Sequence, residues 1–355
     1  DRFDQHQDIL PCSNCTYDLR LGTSYQSYEW DLHSRVMGTC IDVKDDCPTW
    51  RNFIRTVTGE DDSLAVFIQM IVGYLLCGGN PLQKMFVVYG PARTGKTTFV
   101  QVLQCLFGSL ARKTGISTFS DRSPVRNALA ALKGTRVVVV DENDSEESGH
   151  LNSSLLKQVV GAETVEARYL YREFFEFTVT FKLVIATNYL PAFKVFDEAL
   201  ARRIVPIPFF NRVNPASVDP ALSEKLIEEL PGILNWALGG WNLVQRHGLH
   251  MPFRVQKLLR EYTLLYNSAD RFIDATCERH YGSRVRSIDL YRLYQAYCKV
   301  QGEGRPMKHK SLDTRIADLG FRPTQYRAEF CFENIRIRDR QNIASEWNVL
   351  PDDTY

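Results

Sequence analysis

Four short runs of apolar residues alternate with helical segments in the middle of the chain. The runs are Met85–Tyr89, Val137–Val140, Leu183–Ala186 and Ile204–Phe209. Continuous apolar strands that are separated by helices are typical of a parallel sheet covered on both faces. The pattern therefore predicts an α/β core over residues 85–212, with flanking helices.

The segments around this core have different patterns. Residues 1–46 contain short alternating pieces between turn residues and predict a β-rich lead-in segment. Residues 47–84 predict a helical, collar-like region, in which Leu64–Leu76 is a buried helix. After the core, residues 213–266 predict a helical extension.

The last part of the chain, residues 267–345, predicts a separate small domain that is followed by a tail at 346–355. The periodicity predicts three helices, at about Arg271–Arg279, Ser287–Val300 and Ser311–Leu319. An alternating stretch, Phe330–Ile337, follows them and predicts a β-wing. Three helices followed by a hairpin indicate a winged-helix domain.

A phosphate-binding pattern follows the first apolar run. Residues 90–97 fit G-x-x-x-x-G-K-[ST], in which the backbone amides of a tight loop point at phosphate oxygens. Lys96 would place its charge on the β- and γ-phosphates, and the Thr97 hydroxyl would bind Mg²⁺. The predicted ATP-binding residues are Gly90, Pro91, Ala92, Arg93, Thr94, Gly95, Lys96, Thr97 and Thr98. The alternative is an ordinary glycine-rich turn between a strand and a helix.

Two later apolar runs end in residues that suit nucleotide hydrolysis. Asp141 and Glu142 follow the second run, where Asp141 would support Mg²⁺ and Glu142 would polarise the attacking water. Asn188 follows the third run and would orient that water against the γ-phosphate. The alternative at each position is a strand that simply ends in a polar turn.

Tandem arginines, Arg202 and Arg203, precede the fourth apolar run. An arginine that reaches the γ-phosphate of a neighbouring subunit accelerates hydrolysis by roughly three to five orders of magnitude. Arginines also complement the dipole at the carboxyl end of a helix. The sequence leaves open which of the two residues has which role.

These motifs, in this order, resemble those of the superfamily 3 helicases, and most closely the phage and plasmid primase–helicase family with its poxvirus relatives. The resemblance extends to Asn14–Gly22, where Cys15 replaces the usual glycine, and to Pro231–Leu238. It implies an AAA+-like P-loop ATPase core that uses ATP and Mg²⁺. It also implies a hexameric ring that moves 3′→5′ on single-stranded DNA and unwinds forked DNA, with an upstream primase domain or partner.

A predicted hairpin over Thr164–Thr180 matches the position of that family's DNA-gripping hairpin. Apolar residues alternate along both arms, and the turn falls near Tyr171. Arg168 and Arg172 would contact phosphates, and Tyr169 or Tyr171 would stack on bases. The alternative is a surface hairpin whose aromatic residues belong to the core.

Basic residues cluster around the third helix of the C-terminal domain. Lys308, Lys310 and Arg315 are predicted to contact the DNA backbone. The alternative is a solvated charged face, because many winged helices bind protein instead.

The net charge of +1 hides an uneven distribution. Residues 1–70 carry a balance of −6, and residues 271–345 carry +6. The total argues against a protein that coats DNA with a basic surface. It suits a ring that is positive only where DNA passes.

Nine scattered cysteines and the lack of a signal peptide predict reduced thiols in the host cytoplasm. Cys12 and Cys15 form a C-x2-C pair, so a zinc site is the alternative to reduced thiols. Its second pair of ligands would be Cys40 and Cys47, whose spacing is unsuitable for a common zinc site. No apolar stretch is long enough to span a bilayer, so no membrane partner is expected. The first residue is not Met, and we expect a fragment of a longer protein.

Two other functions fit the same motifs. One is a nucleotide-switched replication initiator or loader, which binds DNA without processive unwinding. The other is a P-loop nucleotide or sugar kinase, against which the winged-helix-like domain and the lack of a phosphoacceptor lid argue. Unwinding of forked DNA separates a helicase from an initiator, and DNA-stimulated ATPase activity separates both from a kinase.

Overall fold

The computed structural model describes residues 3–4, 6–42, 44–120, 126–141, 151–169, 171–191, 193, 196–213, 219–266, 268–301 and 306–338. The chain divides into two compact units, Asp1–Leu259 (unit 1) and Arg260–Tyr355 (unit 2). This division is coarser than the six segments expected from the sequence, whose boundaries stay predictions. Among the described residues, no helix is long and apolar enough to cross a membrane.

Unit 1 begins with a small antiparallel sheet and two helices. The strands are β1 (Ile9–Pro11), β2 (Thr16–Asp18) and β3 (Thr23–Tyr25), in that spatial order. The helices are α1 (Pro48–Thr58) and α2 (Asp62–Leu76). Helix α2 is capped by Asp61, whose carboxylate accepts a hydrogen bond from the backbone N–H of Leu64.

A five-stranded parallel sheet forms the centre of unit 1. The further strands of the unit are β4 (Met85–Tyr89), β5 (Ala111–Gly115), β6 (Val137–Asp141), β7 (Thr164–Arg168), β8 (Phe174–Thr178), β9 (Lys182–Thr187) and β10 (Ile204–Pro208). The parallel sheet has the spatial order β10-β4-β9-β6-β5, and β7 pairs with β8 in a separate antiparallel hairpin. The α/β prediction is confirmed, because all four apolar runs form strands of the parallel sheet.

The edge strand β5 is the member of this sheet that the apolar runs did not predict. It pairs in parallel with β6 through Ala111 and Val137, but its sequence is Ala-Arg-Lys-Thr-Gly. A strand at an edge has solvent on one side, so polar residues are tolerated there. The hydrophobic pattern therefore predicts the four apolar strands, which include the buried edge strand β10, and misses the polar edge strand β5.

The remaining helices that lie within unit 1 are α3 (Lys96–Phe107), α4 (Arg126–Ala130), α5 (Ser153–Val160), α6 (Glu198–Ala201), α7 (Leu222–Glu228) and α8 (Leu230–His247). Helix α9 (Phe253–Tyr266) contains the boundary between the two units. Helices α2 and α8 pack closely, because a Cβ atom on Gly73 would lie 2.2 Å from the backbone nitrogen of Trp241. A Cβ atom on Gly240 would likewise lie 2.0 Å from the carbonyl oxygen of Gln69. Glycine at both positions permits this backbone contact.

Unit 2 consists of helices packed on a three-stranded sheet. Its elements are α10 (Ser268–Thr276), β11 (Cys277–Arg286), α11 (Ser287–Val300), α12 (His309–Asp318), β12 (Arg322–Tyr326) and β13 (Glu329–Ile337). The strands are antiparallel, with the order β11-β13-β12. The predicted helix over Arg271–Arg279 is wrong at its end, because the chain turns into β11 at Cys277. Strand β11 is polar and lies at an edge of the sheet, which explains why the sequence pattern did not predict it.

Candidate nucleotide-binding site

The predicted phosphate loop connects β4 to α3. It lies where the parallel strands have their carboxyl ends, which we call the carboxyl edge of the sheet, and the amino edge is where the strands begin. Gly90 is required there by close packing, because a Cβ atom on it would lie 1.8 Å from the carbonyl oxygen of Phe209. Gly95 has a φ of 89°, and a Cβ atom on it would lie 2.9 Å from Cγ1 of Val57 in α1. The two glycines therefore let the loop curl tightly between β10 and α1.

The ammonium group of Lys96 lies inside this curl. Lys96 is 8% exposed, and its Nζ donates hydrogen bonds of 2.6 Å to the carbonyl oxygens of Gly90 and Pro91. Gly95 precedes α3 and offers no capping side chain, so the first backbone N–H groups of that helix are not bound by a cap. A buried cation beside an uncapped helix N-terminus is a favourable environment for a phosphate group. Thr97 is exposed in the same first turn, and Thr98 is half-buried.

The strand order brings the predicted hydrolytic residues to the same edge. Asp141 is the last residue of β6, and Asn188 directly follows β9. Strand β9 lies between β4 and β6, so Asp141 ends a strand two positions from the loop strand, at about 10 Å. Asn188 is half-buried at the strand between them. Glu142 lies outside the described residues, as does the side chain of Asp141.

The two arginines lie at the opposite edge of the sheet. Both precede β10, whose five residues span about 17 Å between this amino edge and the edge that carries the loop. Arg203 is buried, and its Nη1 donates to the carbonyl oxygen of Ala199 at 2.6 Å. Arg202 is exposed. Neither arginine can therefore reach the phosphate loop of its own chain.

Lys84 joins these arginines, although the sequence analysis did not single it out. Its Nζ donates to the carbonyl oxygen of Arg202 at 2.5 Å. Burial, followed by the charges of Arg202 and Arg203, lowers the pKa of Lys84. Among the described residues, none of the three cations forms an ion pair with a carboxylate. The cluster became visible only in the fold, because Lys84 is far from the arginines in the sequence.

The predicted DNA-gripping segment is an antiparallel hairpin, with Arg168 paired to Phe174 at the end next to the turn. Tyr171 is fully exposed and has a φ of 58°, which places it in the turn. Arg172 is also exposed, and its backbone N–H donates to the carbonyl oxygen of Tyr169 at 3.1 Å. The guanidinium of Arg168 lies 4.9 Å from the ring centroid of Phe174, which is half-exposed. The outer face of the hairpin thus combines cations with an aromatic ring.

Tyr169 lies on the other face of this hairpin. Its ring stacks on Phe175 with the centroids 5.1 Å apart, and its hydroxyl donates to the carbonyl oxygen of Ala130 at 3.3 Å. Tyr169 is 44% exposed but has this packing contact with the α4 region. Phe174, which the sequence did not single out, is 50% exposed. Tyr169 is in phase with the buried residues Val165 and Ala167, and this alternation was the available signal.

In unit 2, the predicted DNA-contact residues divide into two groups. Lys308 and Lys310 are exposed at the start of α12. Arg315 instead forms two hydrogen bonds of 2.6 Å with both carboxylate oxygens of Asp270, which is buried in α10. A bidentate pair of this kind holds the guanidinium inside the unit. The guanidinium of Arg315 thus has an internal partner, and its expected contact with DNA stays a prediction.

The cysteines show no sign of a metal centre. None of the nine forms a disulfide bond, and the described residues contain no group of three or more His, Cys, Asp or Glu side chains that could hold a metal ion. Cys15, which replaces the usual glycine, is not among the residues with positive φ. Asn14 next to it exchanges two hydrogen bonds with the backbone of Ile41. The turn thus tolerates a side chain at Cys15.

The segment that carries the site matches a family model. Residues 88–203 fit DUF5906, a family of unknown function. This segment begins in β4 and ends at Arg203, so it includes the loop, the hairpin and all the predicted catalytic residues.

Three viral proteins that bear the name "Putative helicase" are similar to the chain. They are L207/L206 of Acanthamoeba polyphaga mimivirus, 022R of Frog virus 3 and 184R of Invertebrate iridescent virus 6, which are 26%, 25% and 24% identical. The alignments cover 87%, 63% and 63% of this chain. They cover 35%, 25% and 24% of the viral proteins, so the chain spans about a third or a quarter of those relatives.

A solved structure of the C-terminal region of NrS-1 has a similar fold. The TM-score is 0.50 at 13% sequence identity, and the match covers 82% of this chain and 76% of that one. At this identity the likeness concerns the fold and not the activity. The chain is thus similar to a region of large-virus proteins that are named as helicases, built around a five-stranded parallel sheet.

Proposed function

We propose that the chain is the ATPase region of a DNA helicase from a phage, plasmid or virus-like element. One observation carries the proposal: the loop with buried Lys96, the end of β9 at Asn188 and the end of β6 at Asp141 lie on adjacent strands at one edge of the sheet. Ligands of open α/β sheets bind at this edge. The names of the viral relatives support the assignment to helicases.

The residues at this edge divide the work of hydrolysis. Lys96 and the loop amides would bind the β- and γ-phosphates of ATP. Thr97 and Asp141 would supply oxygen ligands, which suit Mg²⁺, and the ion when bound would neutralise charge on the phosphates. Glu142 would accept the proton of the attacking water. Asn188 would hold that water against the γ-phosphate.

A homo-oligomeric ring, such as a hexamer, explains the position of the arginines. They lie about 17 Å from their own loop, so they could act only on a nucleotide that is bound by a neighbouring subunit. Arg202 is exposed and Arg203 is buried, and we therefore assign the trans-acting role to Arg202. Lys84 beside it would add a second positive charge to that interface.

The hairpin would grip single-stranded DNA inside the ring. Arg168 and Arg172 would contact phosphates, while Tyr171 and Phe174 would stack on bases. The order of helices and strands in unit 2 supports a winged helix, whose exposed Lys308 and Lys310 would contact the backbone of forked DNA. In the complete replication machinery, a primase domain or partner would act on the unwound strand.

The site is tested by ATP turnover in purified Lys96→Ala and Glu142→Gln variants. Lys96→Ala is expected to lose both ATP binding and turnover, because the loop loses its phosphate-binding charge. Glu142→Gln is expected to lose turnover by at least about 100-fold and still bind ATP, since only the base is removed. Turnover like that of the wild type in either variant would contradict the proposed site. Forked-DNA unwinding by the wild type then separates the helicase from a nucleotide-switched loader.

A further inference from the structure

We propose that residues 209–213, which follow β10, form the nucleobase subsite of the phosphate loop, and that the ring of Phe210 stacks on the base. The proposal rests on the proposed nucleotide-binding function. The substrates would be purine nucleoside triphosphates, which this subsite would select by the area of the base and not by its hydrogen-bonding edge.

The order of the strands determines where the nucleoside leaves the loop. Strands β9 and β6, which end at Asn188 and Asp141, lie on one side of β4, and β10 lies on the other. The γ-phosphate must face the hydrolytic residues, because the metal and the water act on it. The opposite end of the triphosphate, with its sugar and base, is therefore directed toward the carboxyl end of β10.

The segment after β10 is fixed along the phosphate loop by backbone contacts. The N–H of Phe209 donates to the carbonyl oxygen of Tyr89 at 2.7 Å, and the N–H of Val213 donates to that of Arg93 at 3.0 Å. Between them, the carbonyl oxygen of Phe209 packs against Cα of Gly90. The segment thus follows the loop from its first residue to its fourth.

The ring of Phe210 is partly supported and partly open. It packs edge-on against Tyr89, with the ring centroids 5.4 Å apart and the planes at 88°. One of its carbons would lie 3.3 Å from a Cβ atom on Gly90, so the ring adjoins the start of the loop. Phe210 is nevertheless 38% exposed. An aromatic ring that is held by a neighbour and open to solvent at a ligand site is suited to stacking.

Helix α1 closes the far side of this segment. Nδ2 of Asn211 donates to the carbonyl oxygen of Val57 at 3.1 Å, so this amide group is used to hold the segment on α1. The same Val57, with Phe53, packs against Gly95 of the loop. Because stacking depends on the area of the base, purines should bind more tightly than pyrimidines, and adenine and guanine should differ little.

The test compares equilibrium binding of ATP, GTP, CTP and inorganic tripolyphosphate to the full chain. Tripolyphosphate has no base, and it therefore reports the phosphate loop alone. The variants are Phe210→Ala and Phe210→Tyr, and Phe330→Ala in unit 2 removes a comparably exposed phenylalanine as a matched control. Phe210→Ala is expected to weaken ATP and GTP binding about 10-fold and to leave tripolyphosphate binding unchanged. Phe210→Tyr and Phe330→Ala are expected to bind ATP like the wild type.

The outcomes separate this inference from the function on which it rests. Equal weakening of ATP and tripolyphosphate by Phe210→Ala would overturn it, because Phe210 would then only support the loop. Unchanged ATP binding in Phe210→Ala, or equal affinity of the wild type for ATP and CTP, would also overturn it. A wild-type chain that binds neither ATP nor tripolyphosphate would instead contradict the proposed nucleotide site.

Discussion

The two edges of the parallel sheet differ in how their positive charges are held. At the carboxyl edge, a single buried ammonium, Lys96, lies within a loop that suits phosphate. The amino edge carries five cations, and among the described residues none of them forms an ion pair with a carboxylate. They are Lys84, Arg136, Lys182, Arg202 and Arg203.

The cations of the amino edge differ in turn by burial. Arg136 precedes β6 and donates to the carbonyl oxygen of Leu76 at 2.6 Å, while Lys182 begins β9 and donates to that of Cys77. Both residues are buried, and both carbonyl groups lie at the carboxyl end of α2, where the helix dipole favours positive charge. These two cations therefore have internal partners. Exposed Arg202 does not depend on such a contact, which leaves its charge available to an anion from outside the chain.

The largest expected effect concerns Arg202. Arg202→Ala should reduce ATP turnover by about 10³-fold or more, because the transition-state charge loses its trans partner. Mixing Arg202→Ala with Lys96→Ala chains should restore part of the activity, since some mixed interfaces contain an intact loop and an intact arginine. Steady-state ATPase assays of each variant and of the mixture provide the measurement.

Arg202→Lys is the matched control, which keeps the charge but not the planar fork, and it should retain part of the turnover. Wild-type turnover in Arg202→Ala would break the distinction between exposed and internal cations. Failure of the mixture to recover any activity would contradict a site that is shared between subunits.

A smaller effect is expected in the pH dependence of protein stability, to which the buried cation Lys182 contributes. Burial lowers the pKa of Lys182 from 10.5 to about 8. Between these values the unfolded chain binds more protons than the folded one, so this residue makes the free energy of unfolding rise as the pH increases. The free energy of unfolding should rise by about 2–3 kcal/mol between pH 8 and 10.5 because of this residue, and this rise should be absent in Lys182→Met.

The measurement is denaturant unfolding of wild type and Lys182→Met at a series of pH values. The difference between the two proteins is needed, because burial raises the pKa of Cys47 and Cys277 to about 11 and these thiols act in the opposite direction. A wild-type curve that runs parallel to the Lys182→Met curve would show that Lys182 is not held as a buried cation.

The smallest effect concerns the hairpin that leads into the amino end of β9. Phe174→Ala should weaken binding of single-stranded DNA about 10-fold, because a base loses its stacking surface. Tyr189→Ala removes an exposed aromatic ring at the carboxyl edge and is the control, for which no loss is expected. Fluorescence anisotropy with a labelled oligonucleotide measures both. Equal losses in the two variants would contradict the assignment of DNA to the hairpin.

Local signals explain why much of the core was predictable. The four apolar runs are strands because continuous branched and aromatic residues suit a sheet that is buried on both faces. The loop at Gly90–Thr97 was predictable because its glycines and Lys96 are neighbours in the sequence. The polar strands β5 and β11 were missed, since both lie at a sheet edge where polar residues are tolerated and so have no apolar signature.

The roles of individual cations were not predictable in the same way. Arg315 is basic, but its carboxylate partner Asp270 lies 45 residues away. Lys84 and Arg202 are separated by 118 residues, and their contact depends on the pairing of β4 with β10. The packing of Tyr169 differs from these cases, because its alternation in phase with buried Val165 and Ala167 was a signal in the sequence.

The sequence by itself determined the α/β core, the chemistry of the loop and the order of the motifs, because these depend on residue type and on spacing over a few positions. The tertiary structure decided which polar groups share an edge of the sheet and which cations are already held by internal partners. It also placed Phe210 beside the loop and gave Tyr169 a contact with the backbone of Ala130. Such outcomes depend on pairing between distant strands and helices, which no local pattern specifies.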